Sequence, residues 1–313
     1  MSKIPFILAV DGGGTSTTTW LTDDQGHVLG KGGSGPSNIK AVGPNASMTA
    51  LDMSILLAFK AAGIEPSPVK MSCFGLAGFD RPEDKAWLQA WADDSVWADR
   101  LLFVNDGDLV VAAGTPGGVG VGVIAGTGSI AVGRTSDGRT ARAGGWGYLF
   151  GDEGSGFSVA VEGLRRVARR ADGRELSTMS PDPLTEHVLE ALGIERTASL
   201  VTNIYSGGFN RARIAGLAAA VVAASEQDPT IVTEILEPAG RELAQMVKAV
   251  ARKLDWADGH LNLAVAGSFV LMTPFVYHAM LNELSNQGYV VNFQLVLEPV
   301  TGAVELAKKA LLT

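Results

Sequence analysis

Two glycine-rich turns carry the residue types that bind phosphate groups. The first, from Asp11 to Ser16, follows an apolar run that is typical of a buried strand. Glycine allows a tight turn and a close approach to a ligand, and consecutive N–H groups with nearby hydroxyls bind phosphate oxygens. The turn lacks the Gly-Lys-Ser/Thr ending of a P-loop, and it is not placed to open a helix as a dinucleotide turn does. The predicted phosphate ligands of this turn are Gly12, Gly13, Gly14, Thr15 and Ser16.

The second turn, Gly126 to Ser129, also stands between two predicted strands. Such a short motif is weak alone, but as a repeat of the first turn it indicates a second set of phosphate ligands: Gly126, Thr127 and Gly128. Asp11 ends the strand before the first turn, where its carboxylate could hold Mg²⁺ directly or through water. A plain hairpin remains the alternative interpretation of either turn.

A candidate general base follows the predicted strand from Leu101 to Asn105. Ligands of open α/β sheets collect at the carboxyl ends of strands. Asp106 at that position could take a proton from an attacking hydroxyl. Two alternatives stay open, because Asp106 could simply cap the helix that follows, and Asp108 could fill either role.

Aromatic residues lie among glycines between Gly144 and Gly156, and Asp152-Glu153 follows them. Ring faces offer apolar contact and carboxylates accept hydrogen bonds from hydroxyls, so the loop is suited to binding a sugar. The alternative is a helix start, where acidic residues are favoured by the helix dipole. Asn38, in Gly-Pro-Ser-Asn, is a further candidate sugar ligand, although such a residue is also ordinary in a turn.

The elements that must position these residues occur twice in the same order. Three strands are followed by a helix, a strand, a helix and a strand, and the pattern then begins again near Val119 with an enlarged, helix-rich middle. The repeat predicts an N-terminal domain of residues 1–114, joined by the C-terminal helix 302–313. A larger C-terminal domain with a helical insertion would comprise residues 115–301, and the two turns would face each other across a cleft.

Composition limits the classes of protein that the chain can belong to. It has 313 residues, of which 46% are hydrophobic, so two halves can each bury a core. The net charge of −8 argues against a nucleic-acid partner. A basic run on one predicted helix, Arg165, Arg166, Arg169 and Arg170, is interpreted as a solvated face rather than a nucleotide site.

The single cysteine, Cys73, excludes an intrachain disulfide and a cysteine cluster for zinc or iron–sulfur. We find no apolar run long enough to cross a bilayer and no signal-peptide pattern. A cytoplasmic location without a membrane partner is therefore expected.

Together these motifs resemble the N-acetylglucosamine kinase branch of the BadF/BadG/BcrA/BcrD ATPase family. The resemblance covers nearly the whole chain and includes two further motifs, Gly75-Leu-Ala-Gly78 and Ala266-Gly267-Ser268. It implies an α/β fold of two duplicated ribonuclease H-like domains of the actin/hexokinase type, with a ligand cleft between them. It also implies an ATP-dependent, Mg²⁺-dependent enzyme that phosphorylates the 6-hydroxyl of an amino sugar and forms a homodimer.

The resemblance also implies roles for individual residues. Asp106 would contact the sugar and activate its 6-hydroxyl, and Asp11 would anchor Mg²⁺. The implied sugar ligands are Asn38, Gly145, Trp146 and Asp152, the implied phosphate ligands are Thr15 and Thr127, and Gly267 and Ser268 would approach the adenosine.

Several substrates and one other class of function stay open. N-acetylglucosamine is the leading substrate, with glucosamine and N-acetylmuramic acid as alternatives. A function of another class would be an ATP-driven conformational switch or activator, but such a protein needs no sugar pocket around Trp146 and Asp152. The activators of radical dehydratases in this family carry cysteines for an iron–sulfur cluster, and one cysteine argues against that branch.

Overall fold

The first half of the chain forms one mixed five-stranded sheet. The computed structural model describes residues 6–78, 82–94, 97–206, 210–256 and 259–312. An antiparallel meander of β1 (Ile7–Gly12), β2 (Thr17–Thr22) and β3 (Val28–Ser34) is extended by two parallel strands, β4 (Met71–Leu76) and β5 (Leu101–Asn105). The strand order is β3-β2-β1-β4-β5. Its helices are α1 (Ile39–Val42), α2 (Pro44–Ala62), α3 (Pro82–Asp94) and α4 (Asp106–Gly114).

The second half repeats this sheet strand for strand. Its strands are β6 (Gly120–Ala125), β7 (Ser129–Arg134), β8 (Thr140–Gly144), β9 (His260–Ala266) and β10 (Val290–Leu295). The meander β6-β7-β8 is antiparallel, β9 and β10 are parallel to β6, and the order β8-β7-β6-β9-β10 matches that of the first sheet. The predicted fold class, a duplicated two-domain α/β structure, is thereby confirmed.

The helices of the second half account for its larger size. Between β8 and β9 the chain forms α5 (Gly156–Ala171), α6 (Pro183–Leu192), α7 (Leu200–Tyr205), α8 (Arg211–Gly216), α9 (Ala218–Ala224) and α10 (Glu237–Lys253), with a π-helical turn at Val232–Leu236. After β9 come α11 (Ser268–Met272), α12 (Pro274–Asn286) and α13 (Val300–Leu311). Short 3₁₀ turns lie at Pro116–Gly118 and Thr197–Ser199. Within the described residues, no helix has the length and apolar character needed to span a membrane.

Local sequence accounts for many of these boundaries. Residues Ile7 to Val10 of β1 are completely buried, as expected for a strand covered by helices on both faces. Helix α2 ends at Ala62, because the following Gly63 takes the left-handed conformation (φ 67°) that commonly closes a helix. The closing helix α13 begins two residues before the predicted Gly302, and the predicted end at Thr313 lies outside the described residues.

Helices α4 and α13 cross between the two sheets. Helix α4 follows β5 of the first sheet, yet its Val110 packs with Ala264 and Ala266 of β9 in the second. Conversely, α13 follows β10 of the second sheet, and its Ala303 and Val304 join the core beneath β1 of the first, with Leu109 of α4. Each half therefore contributes a helix to the core of the other, and Asp106 begins the helix that enters the second half.

We expect Gly302→Ala to destabilise this crossing. A Cβ at Gly302 would overlap the carbonyl oxygen of Leu109 and lie 2.7 Å from its carbon. Because the obstacle is backbone, the helices must separate, which costs about 1–3 kcal/mol of unfolding free energy. Urea denaturation would measure the loss. Gly216→Ala in α8 is the matched control, since its Cβ would enter open space. An equal loss of unfolding free energy in both variants would contradict the close contact of α13 with α4.

The basic run on α5 is only half solvated. Arg165 and Arg169 have side chains that are 69% and 55% exposed, as predicted. Arg166 and Arg170 are 17% and 8% exposed and lie in ion pairs, among them Arg170 Nη1 with Asp182 Oδ1 at 2.6 Å. The solvated-face prediction is wrong for these two arginines, because the segment between α5 and α6 and the π-helical turn place carboxylates against them.

Candidate functional site

The first glycine turn has a rigid base and an open tip. The Gly13 N–H donates to the carbonyl oxygen of Ser16 at 2.9 Å and closes the turn. Gly12 is enclosed, because a Cβ there would overlap Ser37 Oγ and lie 2.5 Å from Leu76 Cδ2. At the tip, Gly14, Thr15 and Ser16 are exposed, and a Cβ at Gly14 would meet none of the described atoms within 4 Å. The tip therefore has room for a ligand next to its N–H groups and hydroxyls.

Asn38 is held beside this turn. The N–H groups of Ser37 and Asn38 both donate to the Gly13 carbonyl oxygen at 3.1 Å. Asn38 caps α1, with its Oδ1 accepting from the Lys40 N–H at 3.0 Å. A Cβ at Gly78 would lie only 2.9 Å from that Oδ1, so glycine at the end of Gly75-Leu-Ala-Gly78 makes room for the amide.

Asp11, at the end of β1, is a partly buried carboxylate. Burial raises the pKa of its carboxyl group from 3.8 to about 6. Neither an ion pair nor a hydrogen bond of its side chain to another described residue lowers that value. An ionised Asp11 is therefore costly in the ligand-free protein and would be stabilised by a cation.

Strand register brings Asp106 to the same edge of the first sheet. Gly12, Leu76 and Asn105 form one row across the parallel strands β1, β4 and β5. Since adjacent strands are about 4.8 Å apart, Asn105 lies about 10 Å from the first turn. Asp106 follows directly and is next to Gly107, which lies at the junction of the two halves, because a Cβ at Gly107 would be 3.0 Å from Val132 Cγ1 of β7.

The capping role that was the alternative for Asp106 is filled by its neighbours Asn105 and Asp108. Asn105 is the N-cap of α4, and its Oδ1 accepts from the Gly107 N–H at 3.0 Å. Asp108 completes the capping box through the Asn105 N–H at 3.3 Å and pairs with Arg134 Nη2 of β7 at 2.8 Å. Asp106 Oδ1 accepts from the Gly107 N–H at 2.9 Å, so Asp106 is placed at the helix start without being its cap.

The second glycine turn meets the Gly267 loop at the edge of the second sheet. The Gly126 N–H donates to the Gly128 carbonyl oxygen at 2.9 Å. Gly267 is in the left-handed region (φ 107°), and a Cβ there would lie 2.5 Å from the Ala125 carbonyl carbon. A Cβ at Gly126 would lie 3.8 Å from Ser268 Oγ. The structure therefore brings together the second turn, Gly267 and Ser268, as a nucleotide site would require.

Asp152 lies against the second turn. It is only 3% exposed and adopts a left-handed backbone (φ 63°), unusual for a residue other than glycine. Its Oδ1 accepts from the Ser129 N–H at 3.2 Å, and its Oδ2 accepts from Arg211 Nη2 at 2.6 Å. Burial raises the pKa of this carboxyl group, while Arg211 and the Ser129 N–H oppose the rise. Asp152 thus links the aromatic loop to the second turn.

The aromatic loop projects from the same place. The Gly145 N–H donates to the Ser129 carbonyl oxygen at 3.0 Å, which fixes the start of the loop beside the turn. Trp146 is 65% exposed and Phe150 is 72% exposed. Tyr148 is anchored by an edge-on contact with Phe157, with 5.5 Å between ring centroids. Large exposed rings at a polar site are candidates for ligand contact.

The predicted site residues therefore fall into two groups. Asp11 to Ser16, Asn38 and Asp106 lie at one edge of the first sheet. The second group, at the corresponding edge of the second sheet, consists of Gly126, Thr127, Gly128, Gly145, Trp146, Asp152, Gly267 and Ser268. Sequence reasoning missed Arg211, because it stands in an ordinary helical stretch about 60 residues from Asp152 and no local motif marks it.

A family model matches residues 8–307 of the chain, which is almost all of it. The chain belongs to the BadF/BadG/BcrA/BcrD ATPase family. Apart from Ile7 at the start of β1, both sheets and both glycine turns lie within the matched region. Membership of this ATPase family therefore agrees with two turns suited to phosphate binding.

The relatives found by sequence comparison are named as amino-sugar kinases. The chain is 30% identical over 304 residues to an N-acetylmuramic acid/N-acetylglucosamine kinase of Clostridium acetobutylicum, covering 97% of this chain and 98% of the relative. It is 30% identical over 264 residues to an N-acetyl-D-glucosamine kinase of Dictyostelium discoideum, covering 81% of each. A solved structure of a candidate N-acetylglucosamine kinase from Chromobacterium violaceum is 28% identical, with a TM-score of 0.77 and coverage of 97% and 99%.

Proposed function

We propose that this protein is an ATP-dependent kinase that transfers the γ-phosphoryl group to the 6-hydroxyl of an amino sugar, with N-acetylglucosamine as substrate. The observation that carries the proposal is the position of Asp106. It follows the strand row that leads from the first glycine turn, at the junction with the second half. The capping alternative is filled by Asn105, while Asp108 completes the capping box and pairs with Arg134.

Asp106 performs the proton transfer in this mechanism. Its carboxylate accepts the proton of the sugar 6-hydroxyl, and the 6-oxygen forms a bond to the γ-phosphorus. The bond between that phosphorus and the bridging oxygen of ADP breaks, and ADP leaves. Phosphoryl transfer otherwise depends on positioning and on charge stabilisation, which the two glycine turns provide through N–H groups and the hydroxyls of Thr15 and Thr127.

The donor atoms fit Mg²⁺ held jointly with the phosphates. Magnesium is commonly bound by one or two carboxylates together with substrate phosphates and water. The described residues contain no group of three or more His, Cys, Asp and Glu side chains that could hold a metal without help from substrate phosphates. Asp11 is a partly buried, desolvated carboxylate, and no neighbouring cation lowers its pKa. Bound at Asp11, Mg²⁺ would neutralise phosphate charge.

The sugar would lie between Asn38 and Asp106 of the first half and Gly145, Trp146 and Asp152 of the second. Trp146 offers a ring face, and Asn38 and Asp152 offer groups for hydroxyl and acetamido hydrogen bonds. The names of two relatives that match over most of their length include N-acetylglucosamine, which supports an acetamido substituent at C2. Glucosamine and N-acetylmuramic acid are the alternative substrates.

A coupled ADP-release assay with Mg-ATP and a panel of sugars tests the proposal. The panel contains glucose, glucosamine, N-acetylglucosamine, N-acetylmannosamine and N-acetylmuramic acid. We expect the largest kcat/KM with N-acetylglucosamine. ATP binding without stimulation by any sugar would reject the kinase in favour of an ATP-driven switch, and preference for glucosamine or N-acetylmuramic acid would correct the substrate alone.

A further inference from the structure

Arg211 lies against both functional parts of the second half. It is the first residue of α8, and its Nη2 donates to Asp152 Oδ2 at 2.6 Å. A Cβ at Gly128 would overlap that same Nη2 and would lie 2.7 Å from Asp152 Oδ1. The guanidinium thus fills the space that a side chain on the second glycine turn would occupy.

The guanidinium also faces the aromatic loop. Its Cζ lies 5.9 Å from the centroid of the Tyr148 ring, within the range of a cation–π contact. Its Nε is buried and has no hydrogen-bond partner in the part of the chain that the structure describes. One side chain therefore touches the phosphate turn, the buried carboxylate and the loop that carries Trp146.

We propose that Arg211 is a positioning residue that couples nucleotide binding at the second glycine turn to sugar binding at Asp152. This inference rests on the proposed kinase function and adds a residue that sequence reasoning did not assign. A phosphate at the turn attracts the guanidinium, and any movement of the guanidinium changes the support of the Asp152 carboxylate. Asp152 cannot respond independently, since its other oxygen accepts from the Ser129 N–H of the same turn.

The charge balance at Asp152 shows why one cation can have this effect. Burial disfavours the ionised carboxylate, and Arg211 is the cation that opposes this. An ionised carboxylate that loses its partner in a buried site becomes strongly unfavourable. The orientation and the charge of Asp152, a predicted sugar ligand, therefore both depend on where the Arg211 guanidinium lies.

Thermodynamic linkage makes the proposal measurable. If Arg211 couples the two sites, nucleotide must tighten sugar binding by the same factor by which sugar tightens nucleotide binding. Coupling factors of this kind are typically about 5- to 150-fold. A residue with a purely structural role would alter stability or both affinities without removing the coupling.

The experiment is calorimetric titration of N-acetylglucosamine with and without Mg²⁺ and a non-hydrolysable ATP analogue. The proteins are the unmodified chain, Arg211→Gln, Arg211→Lys and Arg213→Gln. The last is the matched control, because Arg213 lies two residues further along α8, is exposed, and bonds instead to the Asn203 carbonyl oxygen at 3.2 Å. We expect at least about fivefold tightening in the unmodified chain and in Arg213→Gln. Arg211→Gln should show almost none, and Arg211→Lys should retain part.

Other outcomes separate this inference from the proposed function. Tightening in Arg211→Gln equal to that of the unmodified chain would overturn the coupling role, as would an unmodified chain in which nucleotide has no effect on sugar affinity. Failure of the kinase proposal would appear separately, as absent sugar-stimulated ADP release. If Arg211→Gln does not fold, Arg211→Lys serves instead, because it keeps the positive charge but lacks the guanidinium; full coupling in that variant would likewise overturn the inference.

Discussion

Asp106→Asn should lower turnover at least about 100-fold while leaving nucleotide affinity nearly unchanged. Asparagine cannot accept the hydroxyl proton, and general-base contributions are typically 10²–10⁴-fold. Its Oδ1 can still accept from the Gly107 N–H, as Asp106 Oδ1 does at 2.9 Å, so the start of α4 should be preserved. Steady-state ADP release and analogue binding by calorimetry would measure the two quantities.

Asp108→Asn is the matched control on the same helix. Asp108 completes the capping box and pairs with Arg134. Its replacement should cost about 0.5–2 kcal/mol of unfolding free energy, with a much smaller effect on turnover. A larger loss of turnover in Asp108→Asn than in Asp106→Asn would transfer the role of base to Asp108.

Asp11→Asn should make the ligand-free protein more stable at neutral pH and weaken its Mg²⁺-dependent nucleotide binding. Burial raises the pKa of this carboxyl group from 3.8 to about 6. Between these values the folded chain holds a proton that the unfolded chain has released, so the free energy of unfolding falls as pH rises through this window. Above pH 6 the native carboxylate costs up to about 3 kcal/mol, a cost that asparagine avoids.

Denaturation curves at pH 4 and pH 7.5 would reveal this difference. The variant and the unmodified chain should be similar at pH 4 and diverge at pH 7.5, with Asp11→Asn the more stable. Loss of the carboxylate should weaken Mg²⁺-dependent binding by about 10- to 100-fold. Asp24→Asn, at an exposed position in the β2–β3 turn, is the control, expected within about 0.5 kcal/mol of the unmodified chain. A less stable Asp11→Asn at pH 7.5 would contradict the cost of burial.

Much of the fold could be predicted because its signals are local. The buried run of β1, the glycine at the end of α2 and the two meanders each depend on residues close together in sequence, and the repeated order then predicts a duplicated sheet. Both observed sheets have the predicted content and the same strand order. In the structure Gly126 lies beside Ser268, and Gly267 lies beside Ala125. The roles of these residues remain proposals.

Contacts between distant elements could not be predicted in this way. The capping role of Asn105 could have been considered from its type, whereas the Asp108–Arg134 pair depends on how α4 meets β7. The burial of Arg170 depends on how the segment after α5 folds back and places two carboxylates against it. Likewise, nothing near Arg211 in the sequence indicates that it will meet Asp152.

Short-range preferences therefore account for the strands, the turns, the duplication and the candidate phosphate-binding residues. Backbone geometry and apolar patterning act within a few residues and leave a readable trace in the chain. Packing between elements far apart in sequence decides the crossing of α4 and α13. It also decides the desolvation of the Asp11 and Asp152 carboxyl groups and the position of the Arg211 guanidinium. Burial and charge pairing arise only when those elements meet, so their effects on pKa and on coupling between sites belong to the assembled structure.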